Sequence, residues 1–259
     1  MNLPYQIDPG YIGLGFVLLF LLLILTFTAI LRDKGRRSLG EAGLRKIPAF
    51  KKLWRTMNYS VESGKRLHLT LGRAGIGGEH STSSLVGLSI LKSVAQFVSM
   101  GDKSPITTSG EGTLMILSQD TTRSAYSSSG VAEKFDQADG QLSGLTPFSY
   151  ASGTLPIIYD QQTSGTIMVG HFGSEAALIA DASENTDCMT LAGSDDLSAQ
   201  AILVATANEP LIGEELYAAG AYMQIGLTHT ASVRAQDVIR WILVIVILVG
   251  AALKLTGVF

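Results

Sequence analysis

The chain has 259 residues, a net charge of −3 and a mean hydropathy of +0.30. That charge gives no reason to expect nucleic acid, whose polyanion normally demands a basic face, and the single cysteine, Cys188, excludes an intrachain disulfide or a thiolate metal cluster. The hydropathy is concentrated at the two ends, so an apolar–polar–apolar organisation is expected.

After an external tail over 1–9, residues 10–31 read GYIGLGFVLLFLLLILTFTAIL without a charge. At 1.5 Å per residue the run reaches about 33 Å, enough for a hydrocarbon core of about 30 Å. No Lys or Arg precedes it, and Arg32, Lys34, Arg36 and Arg37 follow it, which predicts an uncleaved anchor and not a signal peptide. Residues 237–259 form a second span with WILVIVILVGAAL at its centre; Trp241 suits the headgroup level, and Lys254 extends to an interface or faces a helix neighbour. The excess of Lys and Arg after the first span, with Arg234 and Arg240 before the second, predicts the cytoplasmic (inner) membrane with both termini outside and the main domain cytoplasmic.

The juxtamembrane segment 32–59 contains LRKIPAFKKLWRTM, in which Phe50, Leu53, Trp54 and Met57 recur at helical spacing. Lys51, Lys52 and Arg55 fall on other faces, so an amphipathic helix against anionic headgroups is expected. Packing of the apolar stripe against a domain core is the alternative.

Residues 60–236 alternate in period. Strands are predicted at 66–72, 112–120, 166–170 and 199–207, and helices at 83–100, 121–137, 174–185 (capped by Ser174) and 209–226 (from Pro210). Residues 143–165, with Pro147 and Pro156, read as a loop or an antiparallel excursion, LPIIY and TIMVG flanking a hairpin turn. The repeated strand–turn–helix unit predicts an α/β, sheet-and-helix (Rossmann-like) domain between an N-terminal and a C-terminal transmembrane helix. The helix over 83–100 has almost no polar face, and 216–226 carries a run of small residues; such helices go to a core or a subunit interface, and a homo-oligomer is expected.

The stretch LGRAGIGGEHSTSS (71–84) invites a phosphate-loop reading and fails it. Counting G-x-x-x-x-G-K-[ST] from Gly72 puts Gly78 and Glu79 where lysine and hydroxyl belong, and G-x-G-x-x-G from Gly75 ends on His80. No complete catalytic constellation, metal spacing or cofactor motif is present, so no catalytic residue, no metal and no cofactor is assigned. In a parallel sheet, however, the strand-to-helix turns share one edge. That edge is expected to gather Glu79, His80, Arg123, His171 and Ser174 as a candidate ligand rim, with Asp120, Thr122, Asn208 and Glu209 beside it.

ANEPLIGEELYAAGAYM (207–223) and GRAGIGGEHSTSSLVGLSIL (72–91), with the flanking spans, resemble an uncharacterised prokaryotic membrane-protein family of unknown function. The resemblance implies a membrane-anchored cytoplasmic α/β domain and no site residues. The function expected is a non-enzymatic structural or scaffolding subunit that self-assembles or joins a membrane complex. The alternative is a ligand-binding or sensory membrane module for a nucleotide or small anion at the C-terminal edge of the sheet.

Overall fold

A computed structural model describes residues 9–33, 44–160 and 163–255. Asp8, Lys34, Arg36 and Arg37, on which part of the charge asymmetry rests, lie outside the described residues. The chain divides into two compact units, one holding the terminal helices and the other Lys46–Ile225.

In the first unit, α1 (Pro9–Asp33) packs against α9 (Leu227–Leu255). Their stretches Gly13–Arg32 and Leu227–Leu255 are long and apolar enough to cross a membrane. α9 starts 10 residues before the span expected from sequence, because Thr228, His229, Arg234 and Asp237 interrupt the apolar pattern without breaking helical geometry.

The second unit is a three-layer α/β fold. Its sheet comprises β1 (Arg66–Gly72), β2 (Ile106–Ser109), β3 (Gly140–Leu142), β4 (Thr163–His171), β5 (Met189–Ser194) and β6 (Glu209–Leu211). All neighbours pair parallel, in the order β3-β2-β1-β4-β5-β6. Parallel strands need covered crossovers, and right-handed crossovers place the helices on opposite faces on either side of the β1/β4 junction.

Alternation along β1 shows the consequence. Leu67, Leu69 and Leu71 point into one core with Ile90, Leu91 and Val94 of α3 (Ser81–Val98), Phe50, Leu53 and Met57 of α2 (Pro48–Ser63), and Leu216 of α8 (Glu215–Tyr222). The opposite core joins Met168 and Ala192 to Tyr150 and Ile158 of α5 (Pro147–Asp160), Ile179 of α6 (Ala176–Asn185) and Leu203 of α7 (Leu197–Thr206). α4 (Gly112–Ser128) packs beside α3, with Ala125 and Tyr126 against Ala95.

Several predicted elements are corrected here. Residues 112–120 are helix and not strand. The LMIL run is ambiguous by period, and the Glu111 carboxylate accepts from the Leu114 N–H and caps a helix start. Residues 199–206 belong to α7, capped by Asp196 through the Ala199 N–H; only Ala199 and Leu203, one turn apart, are buried. Pro210 opens no helix but sits in β6, an edge strand whose outer side needs no N–H donor. Residues 147–160 form α5 with Pro156 inside it, and β4 follows in parallel, so no hairpin forms.

The α2 stripe is spent within the domain. Phe50, Leu53 and Met57 are buried, and Phe50 stacks on Tyr222 with ring centroids 4.8 Å apart. Lys51, Lys52 and Arg55 remain exposed, and Lys52 forms an ion pair with Glu209. The apolar faces of α3 and α8 are likewise largely consumed by the core, with Leu85 a solvent-facing exception on α3.

Candidate functional site

The sheet reverses its winding direction between β1 and β4, which are hydrogen-bonded neighbours. A crevice at the C-terminal ends of strands forms at such a junction, because the flanking loops turn away to opposite faces. Here the ends are closely drawn together. The Arg73 N–H donates to the His171 carbonyl at 3.0 Å and the Gly110 N–H to the Gly72 carbonyl at 2.9 Å. Gly72 has φ +75°, and a Cβ there would collide with the His171 carbonyl. Glycine at the end of β1 therefore allows β4 to approach.

Beneath this edge, Tyr150 of α5 ties the ends of β1 and β2 together. Its hydroxyl accepts from the Gly72 N–H at 3.1 Å, pairs with the Thr70 hydroxyl and donates to the Thr108 carbonyl at 3.4 Å. Burial pushes this phenol up to about 12, so it stays protonated. Beside it, Arg73 Nε donates to Glu175 Oε1 at 2.6 Å, with the Glu175 side chain only 1% exposed. Burial alone would raise that carboxyl. The Gly173 N–H, Arg73 and its own backbone N–H outweigh it and hold the group below its ordinary value.

The rim above is organised by a residue absent from the sequence expectation. Asp195, just past β5, receives His80 Nδ1 on Oδ2 at 2.8 Å and His171 Nδ1 on Oδ1 at 2.7 Å. The two imidazoles stack with centroids 3.7 Å apart and planes 20° from parallel. One ligand-type atom from each of His80, His171 and Asp195 lies within 4.8 Å of the others, the arrangement among the described residues that would suit a metal ion. His80 comes from the β1–α3 loop, His171 from the last position of β4 and Asp195 from the β5–α7 turn. Ser194 anchors this geometry: its hydroxyl accepts from the Phe172 N–H at 3.1 Å and donates to the Phe172 carbonyl at 3.2 Å, pinning the β4 and β5 ends. Asp196 faces α7, where the Ser198 hydroxyl and the Ala199 N–H hold its carboxyl below the ordinary range. Tyr217 of α8 feels the same cluster, its phenol raised by partial burial and then by the Asp195 charge.

The other expected rim residues divide. Glu79 is exposed, next to His80 in the glycine loop. Ser174 is exposed in the β4–α6 loop but does not cap with its side chain; the Ala177 N–H bonds its backbone carbonyl instead. Arg123 does not join them. It lies 11 residues into α4, about 16 Å along that helix from the strand edge, because 112–120 is helix; Asp120 and Thr122 are carried away with it. Asn208 and Glu209 sit at the opposite edge, where the Asn208 side chain accepts from the Thr190 N–H near the start of β5. Asp195 escaped notice because the preceding strand, MTLAGS, is weakly apolar; the signal was the S-D-D-L-S run, which reads as a helix cap.

No curated protein and no solved structure matches this chain. The model of one protein family, described as a domain of unknown function (DUF6754), matches residues 12–259. That match takes in both long apolar helices and the entire α/β unit, and the chain is therefore a member of the DUF6754 family.

Proposed function

We propose that this protein is a membrane-anchored ligand-binding module whose α/β domain takes a small anion-bearing ligand, a nucleotide or a simpler phosphate, at the C-terminal edge of its sheet. One observation carries the reading: the imidazole–carboxylate cluster of His80, His171 and Asp195 lies at the β1/β4 reversal of a sheet ordered β3-β2-β1-β4-β5-β6. This strand order is that of the doubly wound, Rossmann-like sheet, in which ligands occupy the crevice at the reversal. Fold analogy supplies the place and the side chains supply the chemistry. The glycine loop and the N-terminus of α3 add N–H groups that favour negative charge.

α1 and α9 act as anchors in the cytoplasmic membrane in this reading, with both termini outside and the domain in the cytoplasm. Lys51 and Arg55 are left to meet anionic headgroups through charge alone. A scaffolding or self-assembling subunit draws less from the fold, because α3, α2 and α8 already bury most of their apolar faces within one domain.

Thermal unfolding of the full-length protein in detergent, with a panel of nucleotides and inorganic phosphate, tests the proposal. A ligand at a hundred times its Kd adds about 2.7 kcal/mol, a rise of about 5–10 °C for a domain of this size. The shift should vanish in His80→Ala and persist in Arg123→Ala. Absence of any shift across the panel refutes the reading.

A further inference from the structure

We propose that His80, His171 and Asp195 bind a divalent transition metal of the Zn2+ or Co2+ type, leaving coordination positions open towards solvent. This deepens the ligand-binding reading and rests on its placement of the site. The observation is convergence: three segments distant in sequence deliver two imidazoles and one carboxylate to a cluster with their donor atoms within 4.8 Å. Both Nδ1 atoms already address the same carboxylate, at 2.8 and 2.7 Å.

The donor set selects the ion. Two imidazoles suit Zn2+, Co2+ or Ni2+, whereas Mg2+ and Ca2+ prefer all-oxygen shells. Three protein ligands with a free position is the pattern of a site that presents its metal to a ligand or substrate; a structural site closes with four. Exposure agrees, since the side chains of His80, His171 and Asp195 are 46%, 21% and 10% exposed, grading from an accessible face to an anchored base. The base is held from behind by the Ser194–Phe172 hydrogen bonds.

Binding replaces the two Nδ1 protons that now bridge to Asp195. Each neutral imidazole then carries its proton on Nε2, and the carboxylate contributes one negative charge against two positive. Tetrahedral bonds near 2.0 Å separate neighbouring ligand atoms by about 3.3 Å, so the Nδ1–carboxylate distances open by about 0.5 Å. His80, on an exposed loop, is placed to supply that movement. An anionic oxygen of the ligand would complete the shell.

The test is calorimetric titration of untagged, chelator-treated full-length protein in detergent with ZnCl2 alone, paralleled by the visible absorption of Co2+. One saturable site per chain is expected, with a tetrahedral Co2+ spectrum. Asp195→Asn and His171→Ala should weaken it at least tenfold, and His229→Ala, in α9, should not. His80→Ala falls in an exposed loop outside the buried cores and keeps the test readable if the other variants fail to fold. Absence of saturable binding, or binding unchanged in His80→Ala, overturns the inference. Repeating the phosphate and nucleotide unfolding panel in EDTA separates the two readings. A ligand shift without a metal site sinks the metal alone, and a metal site without any ligand shift sinks the anion reading alone.

Discussion

Removing Arg73 should destabilise the domain through the carboxylate it leaves behind. Glu175 is 1% exposed and Arg73 21%, at a bond of 2.6 Å. Deleting one partner of a buried ion pair costs about 3–5 kcal/mol. The solvent-side edge of Arg73 and the N–H groups of Gly173 and Glu175 that remain place this case near the lower end, at about 3 kcal/mol. For a domain of 150–250 residues, that lowers Tm by about 6–12 °C. Glu175→Gln should cost less, because the orphaned guanidinium can turn towards water, and the double variant should cost less than the sum of the two. Thermal unfolding as a function of pH supplies the sharper reading. The folded Glu175 carboxyl is held below 4.5, so its contribution is present above that pH and lost as pH falls towards the folded value. The gap between wild type and Glu175→Gln should therefore narrow below pH 4.5. In Arg73→Ala the guanidinium that helps lower the carboxyl is gone, so the folded value rises relative to wild type and the deficit should shrink on acidification. An Arg73→Ala protein as stable as wild type, or gaps that stay constant from pH 7 to pH 3, would refute the reasoning.

Other predictions concern the sheet and the membrane. His68 is fully buried with Nε2 on the Thr108 hydroxyl, and burial lowers it to about 3. The unfolded chain binds its proton near pH 6.5, so stability should fall with acidification between the two values by about 1.4 kcal/mol per pH unit. His68→Leu should start lower and lose that part of the slope; an unchanged slope argues against a neutral buried imidazole. Gly72→Ala combines positive-φ strain with a collision at the His171 carbonyl and should cost at least about 2 kcal/mol. Gly77→Ala, with open space around it, should stay within about 0.5 kcal/mol, and equal effects at the two positions would contradict the strand-end packing. Because Cys188 is buried, Ser129→Cys should provide an accessible thiol. Under the proposed topology an impermeant maleimide should label it only after spheroplasts of an expressing bacterial host are lysed, and labelling of intact spheroplasts would overturn that proposal.

Legibility of the sequence followed the strength of local signals. β1, α3 and the two long apolar helices were readable because their patterns run for seven or more residues with one period. β2 is only four residues, ITTS, and β5 is MTLAGS; neither contains a run of large apolar side chains. Conversely, LMIL in α4 and AILVA in α7 have the composition of strands and were misassigned, since a short apolar run does not declare its period. The capping groups Glu111 and Asp196 were the better evidence. Those misassignments propagated to the site: placing a strand at 112–120 put Arg123 on the rim, and overlooking β5 concealed Asp195.

The sequence by itself determined the long-range partition of this protein, two charge-poor apolar helices around an α/β unit, because hydrophobic length and strand–helix alternation are written in contiguous residues. It also determined that the glycine loop lacks the lysine and hydroxyl of a phosphate loop. Only the tertiary structure decided which strands are neighbours, that winding reverses between β1 and β4, and that the α2 stripe is buried in the core. It alone brought His80, His171 and Asp195 together. The separations between them are 91 and 24 residues along the chain, and no local interaction encodes proximity across such intervals; the parallel register of β1, β4 and β5 does.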